Sequence, residues 1–479
     1  MATQWMAGES LASVQQFAKP LEQATTSSLP ALKEYSQGVE LHDRLQDGSA
    51  IPHLKQAIAL DPNFAMGYAV LGICESNLGD NKEGTDYLRK SHELRDRASE
   101  REKLYIEGHY YDSVAGDDEK AVELYEKWHQ TYPRDNRPIA NLALHNNILG
   151  RFDQALAAVS EDLKLDPSDP YGYAHGATAY TMSNRIDEAK AMVQAGQSRQ
   201  ADSDGLHFTT LQIAIVQNDE ATVQKEKAWS AGKEAEPWIL RFLSDSEASK
   251  GHLKQASELD QQAAEAGKRL GLGEIPTWVT CSEALHAGEM GYPEIEKQKA
   301  AETLRLPGER FAKVCAASAL ADAGELAQAQ KLVDELHRNF PVDTNIRYLS
   351  GPQTQASILA HQKKYAEAIA ILEPTEKYEF GFAFYTAASR PVYTRGQIYL
   401  QMKDGKHAAA EFQKILDHRA QYPPSEVLPL AQLGLARAYL LQGDTAKAKV
   451  AYQDFFAAWK DADAGIPVMT AAKAEYGKL

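Results

Sequence analysis

The chain has 479 residues, of which 43% are apolar, and a formal net charge of −16. An acidic surface excludes the clustered basic patch that nucleic acid requires and disfavours an anionic membrane surface. No stretch approaches the roughly 20 apolar residues of a membrane helix, and no basic head followed by an apolar run marks a signal peptide.

Residues 1–30 carry no repeat: Ser10 to Phe17 is weakly amphipathic, and Thr25 to Pro30 reads as a linker before a helix that begins near Ala31. A periodic pattern follows. Asp61-Pro62, Tyr132-Pro133 and Asp166-Pro167 each close a segment, and Pro133 and Pro167 stand 34 residues apart. Each segment carries small and large apolar residues at helical spacing: Ala50, Leu54, Ala57; Ala121, Tyr125, Trp128; Ala155, Val159. A fixed period of this length means stacked helical hairpins. Small residues fit where helix backbones cross, and the larger ones fill the gap to the next hairpin.

The first hairpin spans Ala31 to Pro62, with Gly38 where two helices approach closely. The second has Tyr68, Leu71 and Gly72, a turn at Leu78-Gly79-Asp80, then Gly84, Leu88 and Ser91. The third runs from Glu102 to Pro133, and the fourth from Asn136 to Pro167 with its turn at Leu149-Gly150-Arg151. The fifth turns at Asn184-Arg185. Between Gln197 and Pro307 the rhythm weakens, with a break at Gly271–Pro276, and divergent hairpins are expected. It recovers through Ala329 and Val333, Tyr365 to Leu372, and Ala408, Phe412 and Ile415. The last hairpin, with Leu435, Ala438-Tyr439, Gly443-Asp444, Ala448, Tyr452 and Phe455, precedes a capping helix from Val468 to Tyr476.

The pattern divides the chain into an N-terminal helix and linker (1–30), a regular array (31–196), divergent hairpins (197–307), a second regular array (308–460) and a capping helix (461–479). The expected fold is an all-α, right-handed superhelix of about 11–12 hairpins.

Leu433–Trp459, "LGLARAYLLQGDTAKAKVAYQDFFAAW", resembles the tetratricopeptide repeat, as do Tyr68–Ser91 and Asn136–Pro167. The resemblance covers about residues 31–460 and is specific for fold rather than function. Three segments are narrower in their likeness: "GESLASVQQFAKPLEQATTSSLPALKEYSQG", "AWSAGK", and "FQKILDHRA" with "AYQDFFAAWKDAD". They resemble the C-terminal repeat arrays of bacterial eukaryotic-like serine/threonine protein kinases. That resemblance implies a regulatory module whose catalytic domain is not in this sequence. A soluble, cytoplasmic setting is the expectation for the chain as given, and the resemblance implies an extracytoplasmic one where a membrane helix precedes the array.

Three cysteines, Cys74, Cys281 and Cys315, are widely spaced with no CxxC pair, and are expected to fill the core rather than form disulfides or bind metal. No kinase signature, GxSxG, HExxH or P-loop occurs. His109 beside Tyr110-Tyr111 reads as a packed histidine. His407 and His418 lack a third metal ligand, and Asp117-Asp118 reads as a helix N-cap. No catalytic residue, cofactor site or metal site is expected.

Peptide-binding members of the resembled family hold a ligand carboxylate with basic residues and asparagine on the first helices of their hairpins. The matching positions here are Arg137 and Asn141, four apart on one helical face, followed by Tyr171 and His175. The family's second asparagine and later basic pair have no counterpart. The sequence therefore points to a non-catalytic scaffold that takes a protein or peptide partner. The alternatives are the kinase-associated module and a small-molecule sensor or enzyme using the irregular middle region.

Overall fold

The computed structural model describes residues 26–79, 81–381, 390–421 and 425–479. The expected N-terminal segment Ser10–Phe17 and Asp80 of the second turn lie outside them.

Among the described residues, successive helices pair as twelve hairpins, with a short helical turn (Thr344–Tyr348) before the tenth and one further helix after the last. The first five hairpins are α1 (Leu29–His42) with α2 (Asp47–Leu60), α3 (Ala65–Asn77) with α4 (Asn81–Leu94), α5 (Glu100–His109) with α6 (Asp118–Thr131), α7 (Arg137–Ile148) with α8 (Phe152–Leu165), and α9 (Pro170–Met182) with α10 (Ile186–Ser198). Next come α11 (Asp204–Gln217) with α12 (Glu220–Ser230), α13 (Glu236–Ser249) with α14 (Leu253–Leu270), and α15 (Ile275–Met290) with α16 (Pro293–Thr303). The last four are α17 (Glu309–Asp322) with α18 (Leu326–Asn339), α19 (Ser350–His361) with α20 (Tyr365–Leu372), α21 (Arg390–Gln401) with α22 (Gly405–Asp417), and α23 (Val427–Leu441) with α24 (Thr445–Ala458). The final helix is α25 (Pro467–Tyr476). The described residues contain no strand, so the fold is an all-α helical repeat.

The sequence spacing explains the packing. Ala50, Leu54 and Ala57 of α2 are fully buried, as are Ala121, Tyr125 and Trp128 of α6 and Ala448, Tyr452 and Phe455 of α24. A Cβ on Gly38 would stand 2.6 Å from Leu54 Cγ, so α1 and α2 approach at a distance that only glycine permits. Gly150 turns the fourth hairpin with φ +73°, a left-handed angle costly to other residues. Asn184 takes the same region at φ 61°, which asparagine tolerates better than most.

The chain divides into two compact units. One comprises the described residues up to Ala179 with Ala191–Leu206 and Val342–Thr344; the other comprises Tyr180–Lys190, His207–Pro341 and Asn345–Leu479.

In the first unit the third hairpin departs from the repeat. After α5 the backbone widens into a π-helical segment, Tyr110–Ala115, which ends at left-handed Gly116. The Asp117 side chain accepts from the Lys120 amide and caps α6, as the acidic pair predicts.

In the second unit the C-terminal hairpins return to the middle ones. Trp459 Nε1 donates to the Ser249 carbonyl at 2.8 Å. The Asp463 amide donates to the Gly251 carbonyl at 2.9 Å, and its carboxylate accepts from the Lys254 amide at 3.0 Å. Met290, Leu433, Tyr452, Phe455, Trp459 and Ile466 share one apolar cluster. Helix α25 joins it and is tied to its neighbours by Glu475, which pairs with Arg437 at 2.9 Å and accepts from Tyr452 Oη at 2.7 Å.

The cysteine expectation is corrected. Cys281 of α15 and Cys315 of α17 form a disulfide across 34 residues, with Cα atoms 5.9 Å apart. The repeat period is the reason: residues one period apart occupy equivalent positions on neighbouring hairpins, within disulfide reach. Cys74 is free and buried.

Candidate functional site

The first helices of the hairpins in the first unit bring a polar, partly buried face together. Arg137, the first residue of α7, reaches Asp43 beyond the end of α1, with Nη2 3.2 Å from Oδ1. Both side chains are partly exposed, at 31% and 52%. Asn141 Nδ2 donates to the Arg137 main-chain carbonyl one turn back at 3.1 Å.

Tyr171 and His175 lie one turn apart on α9 with their rings stacked at 6.2 Å. Tyr171 is 37% exposed, whereas burial and the nearby charge of His145 depress His175 to about 4 and keep it neutral at pH 7. The Asn147 amide donates to the His175 carbonyl at 3.0 Å and ties α9 to α7. The sequence-derived residues thus form two pairs, Arg137 with Asn141 and Tyr171 with His175. Arg137 is already engaged by Asp43.

Behind them lies a network that sequence reasoning missed. His145 of α7 is fully buried between two carboxylates: Nδ1 stands 3.0 Å from Asp118 and Nε2 3.4 Å from Asp112. Burial alone would lower its pKa, but Asp112 and Asp118 raise it to about 10, so the ring is an imidazolium. Burial works against ionisation of Asp112 too, yet the charged His145 holds its carboxyl well below the usual range. Asp112 sits on the π-helical segment, whose extra backbone turns the carboxylate onto His145. His109 is packed, as expected: Tyr125 Oη lies 3.2 Å from its Nδ1, and burial lowers its pKa. An imidazolium locked between two carboxylates positions helices and has no proton to exchange near neutrality.

The two histidines at the ends of α22 do not converge on a site. His407 pairs with Asp404 at 2.7 Å, and His418 stacks on Phe380 with ring centroids 4.0 Å apart.

The second unit has its own buried polar cluster. His286 of α15 lies 2.7 Å from Glu426 at the start of α23 and 3.3 Å from Asp245 of α13. Arg390 at the start of α21 pairs with Glu289 of α15 and, at 3.3 Å, with Asp322 of α17. Burial and the charge of Glu426 push Glu289 up to about 8 even though Arg390 opposes them. Burial and the charges of Asp322 and Glu289 raise Glu296 to about 9. The pairs made by His286 and Arg390 join α13, α15, α17, α21 and the start of α23, which makes the cluster a clasp between helices.

Among the described residues no helix is long and apolar enough to cross a membrane.

No family model matches the chain, and no curated protein does. Solved structures of similar fold are found. The APC/C hetero-tetramer Cut9–Hcn1 is 13% identical with a TM-score of 0.49, over 95% of this chain and 86% of that one. PilW, a widely conserved type IV pilus biogenesis factor, is 15% identical with a TM-score of 0.32, over 42% of this chain and 93% of that one. YrrB, a TPR protein with an unusual peptide-binding site, is 17% identical with a TM-score of 0.24, over 37% of this chain and 89% of that one. At these identities the likeness concerns fold alone and says nothing about this chain's partner.

Proposed function

We propose that this chain is a non-catalytic scaffold that binds a peptide or protein segment on the first-helix face of its first unit. Arg137 and Asn141 take an acidic group of the ligand, and Tyr171 with His175 takes a neighbouring side chain. The observation that carries this reading is the Arg137–Asp43 pair. It is partly exposed on both sides, so a ligand carboxylate can exchange for Asp43 at little electrostatic cost. Tyrosine and arginine are also the residue types that most often anchor protein interfaces.

The test uses short fluorescent peptides with a free carboxyl terminus or acidic side chains, and their amidated, neutral counterparts. Their anisotropy is read against the wild-type chain and Arg137→Ala/Asn141→Ala. Binding of the acidic set that the double variant loses supports the reading. Equal binding by both proteins, or by neither, overturns it.

A second reading rests on the segments that resemble kinase-associated arrays. In it the same array is the regulatory or sensory module of a bacterial serine/threonine kinase. Phosphate transfer by such a kinase domain, measured with and without this chain, separates the two. A change in rate favours the second.

A further inference from the structure

We infer that His42, Asp47 and Cys74 form a binding site for a divalent transition-metal ion of the zinc class, placed where the first two hairpins meet. His42 is the last residue of α1, Asp47 the first of α2, and Cys74 lies near the end of α3. Their ligand atoms all fall within 4.8 Å of one another. His42 Nδ1 is 2.5 Å from Asp47 Oδ1 and 3.6 Å from Cys74 Sγ.

Two features point to a cation rather than to a plain hydrogen-bonded cap. First, one ring nitrogen faces both the carboxylate and the sulfur. A metal ion between them would be bound by all three atoms together. Second, the spacing fits. Bonds of about 2.0 Å to nitrogen and oxygen and about 2.3 Å to sulfur, at tetrahedral angles, place nitrogen and sulfur roughly 3.6 Å apart and nitrogen and oxygen roughly 3.3 Å apart. The first separation is already present. The second needs the carboxylate to swing back by under ~1 Å, a side-chain rotation at the end of a short turn.

Asn77 supplies the outer support that metal carboxylates typically have. Its Nδ2 donates to Asp47 Oδ2 at 2.8 Å, which leaves Oδ1 turned toward His42 and Cys74. Cys74 is fully buried, and the His42 side chain retains 17% exposure, so an ion can enter past the imidazole. Sulfur, imidazole and carboxylate together suit zinc and disfavour calcium and magnesium, which take oxygen ligands. Three protein ligands leave a fourth tetrahedral position for water or a partner's side chain. Binding forms the metal–sulfur bond as the thiol proton passes to solvent. The imidazole binds through its neutral Nδ1 and keeps its Nε2 proton, and no electrons are transferred.

The experiment titrates the full, chelator-treated chain with Co²⁺, with the Cys281–Cys315 bridge left intact so that Cys74 is the free thiol. One equivalent is expected to give a thiolate-to-cobalt charge-transfer band and tetrahedral visible bands, both removed by added Zn²⁺. Cys74→Ser is expected to abolish the charge-transfer band, and His42→Gln to weaken cobalt affinity by at least about tenfold. No charge-transfer band in the wild-type chain, or a band that persists in Cys74→Ser, overturns the site. Where circular dichroism shows that Cys74→Ser has not folded, His42→Gln decides: unchanged cobalt affinity also overturns it.

Discussion

His286 Nε2 lies 2.7 Å from Glu426 Oε1, joining α15 to the start of α23 although three whole hairpins lie between them in the chain. Repeat arrays couple mainly to nearest neighbours. Here the second unit adds a contact that skips the neighbours, reinforced by Arg390 on Glu289 and Trp459 on Ser249. Such closure replaces stepwise fraying by a more cooperative unit.

Glu296 makes the second unit's stability fall with rising pH. The residue is 3% exposed, and its carboxyl is raised to about 9 by burial and by Asp322 and Glu289. An unfolded glutamate titrates near ~4.3. Between those values the folded state keeps a proton that the unfolded state has lost, so stability drops as pH climbs. Glu296→Gln keeps the shape and removes the titration. Urea unfolding at pH 8 is expected to show the variant more stable by roughly 1–3 kcal/mol, with the gap closing by pH 5. A wild-type chain as stable at pH 8 as at pH 5 would refute the assignment.

His145 is predicted to be the most sensitive polar position of the first unit. Removing it leaves Asp112 and Asp118 facing each other without their cation, and breaking a buried pair in this way typically costs ~3–5 kcal/mol. His145→Ala should lose about that much in denaturant unfolding. Because the folded pKa is raised to about 10, the wild-type stabilisation is fully present below the unfolded value of ~6.5 and fades as pH rises through 10. A variant whose stability and pH profile match the wild type would show that the imidazolium does not hold these helices.

Asp43→Ala separates binding from folding. The Arg137–Asp43 pair is too exposed to stabilise the fold by more than ~0–1 kcal/mol. Its loss should leave the thermal midpoint nearly unchanged. It also removes a competitor for Arg137, so acidic peptides should bind more tightly. Weaker binding by Asp43→Ala would mean that Asp43 contacts the ligand itself, and the exchange mechanism would fail.

The local part of the fold was legible in the sequence, and the long-range part was not. The small-to-large spacing in α2, α6 and α24, the close approach at Gly38 and the turns at Gly150 and Asn184 are fixed within one or two hairpins, and the periodic reading found them. The segment Tyr110–Ala115 escaped it because one widened turn with i→i+5 bonds is too short to register as a change of apolar period. Asp118 was legible as part of a cap, but its bond to His145 depends on how α6 packs on α7. His42, Asp47 and Cys74 belong to three helices and carry no motif spacing. The Arg137–Asn141 pairing followed from helical geometry, whereas the engagement of Arg137 by Asp43 required tertiary structure. One signal was present and unread: Cys281 and Cys315 stand one repeat period apart.

That disulfide supports a final prediction. It closes a 34-residue loop between α15 and α17, and the chain-entropy relation gives a stabilisation of roughly 4 kcal/mol for a loop of that size. Ring packing joins the same helices: Trp278 stacks on Phe311 at 3.8 Å, and Trp238 meets Trp278 edge-on. Reduction should therefore loosen the second unit without unfolding it. Under mild reductant the midpoint for that unit should fall, while hydrogen exchange in α1–α8 stays as it was. Cys281→Ser/Cys315→Ser should reproduce the reduced behaviour and show no further response to reductant. An unchanged midpoint on reduction, with free thiols counted to prove that the bond was cut, would show that the ring stack rather than the bridge holds α15 to α17.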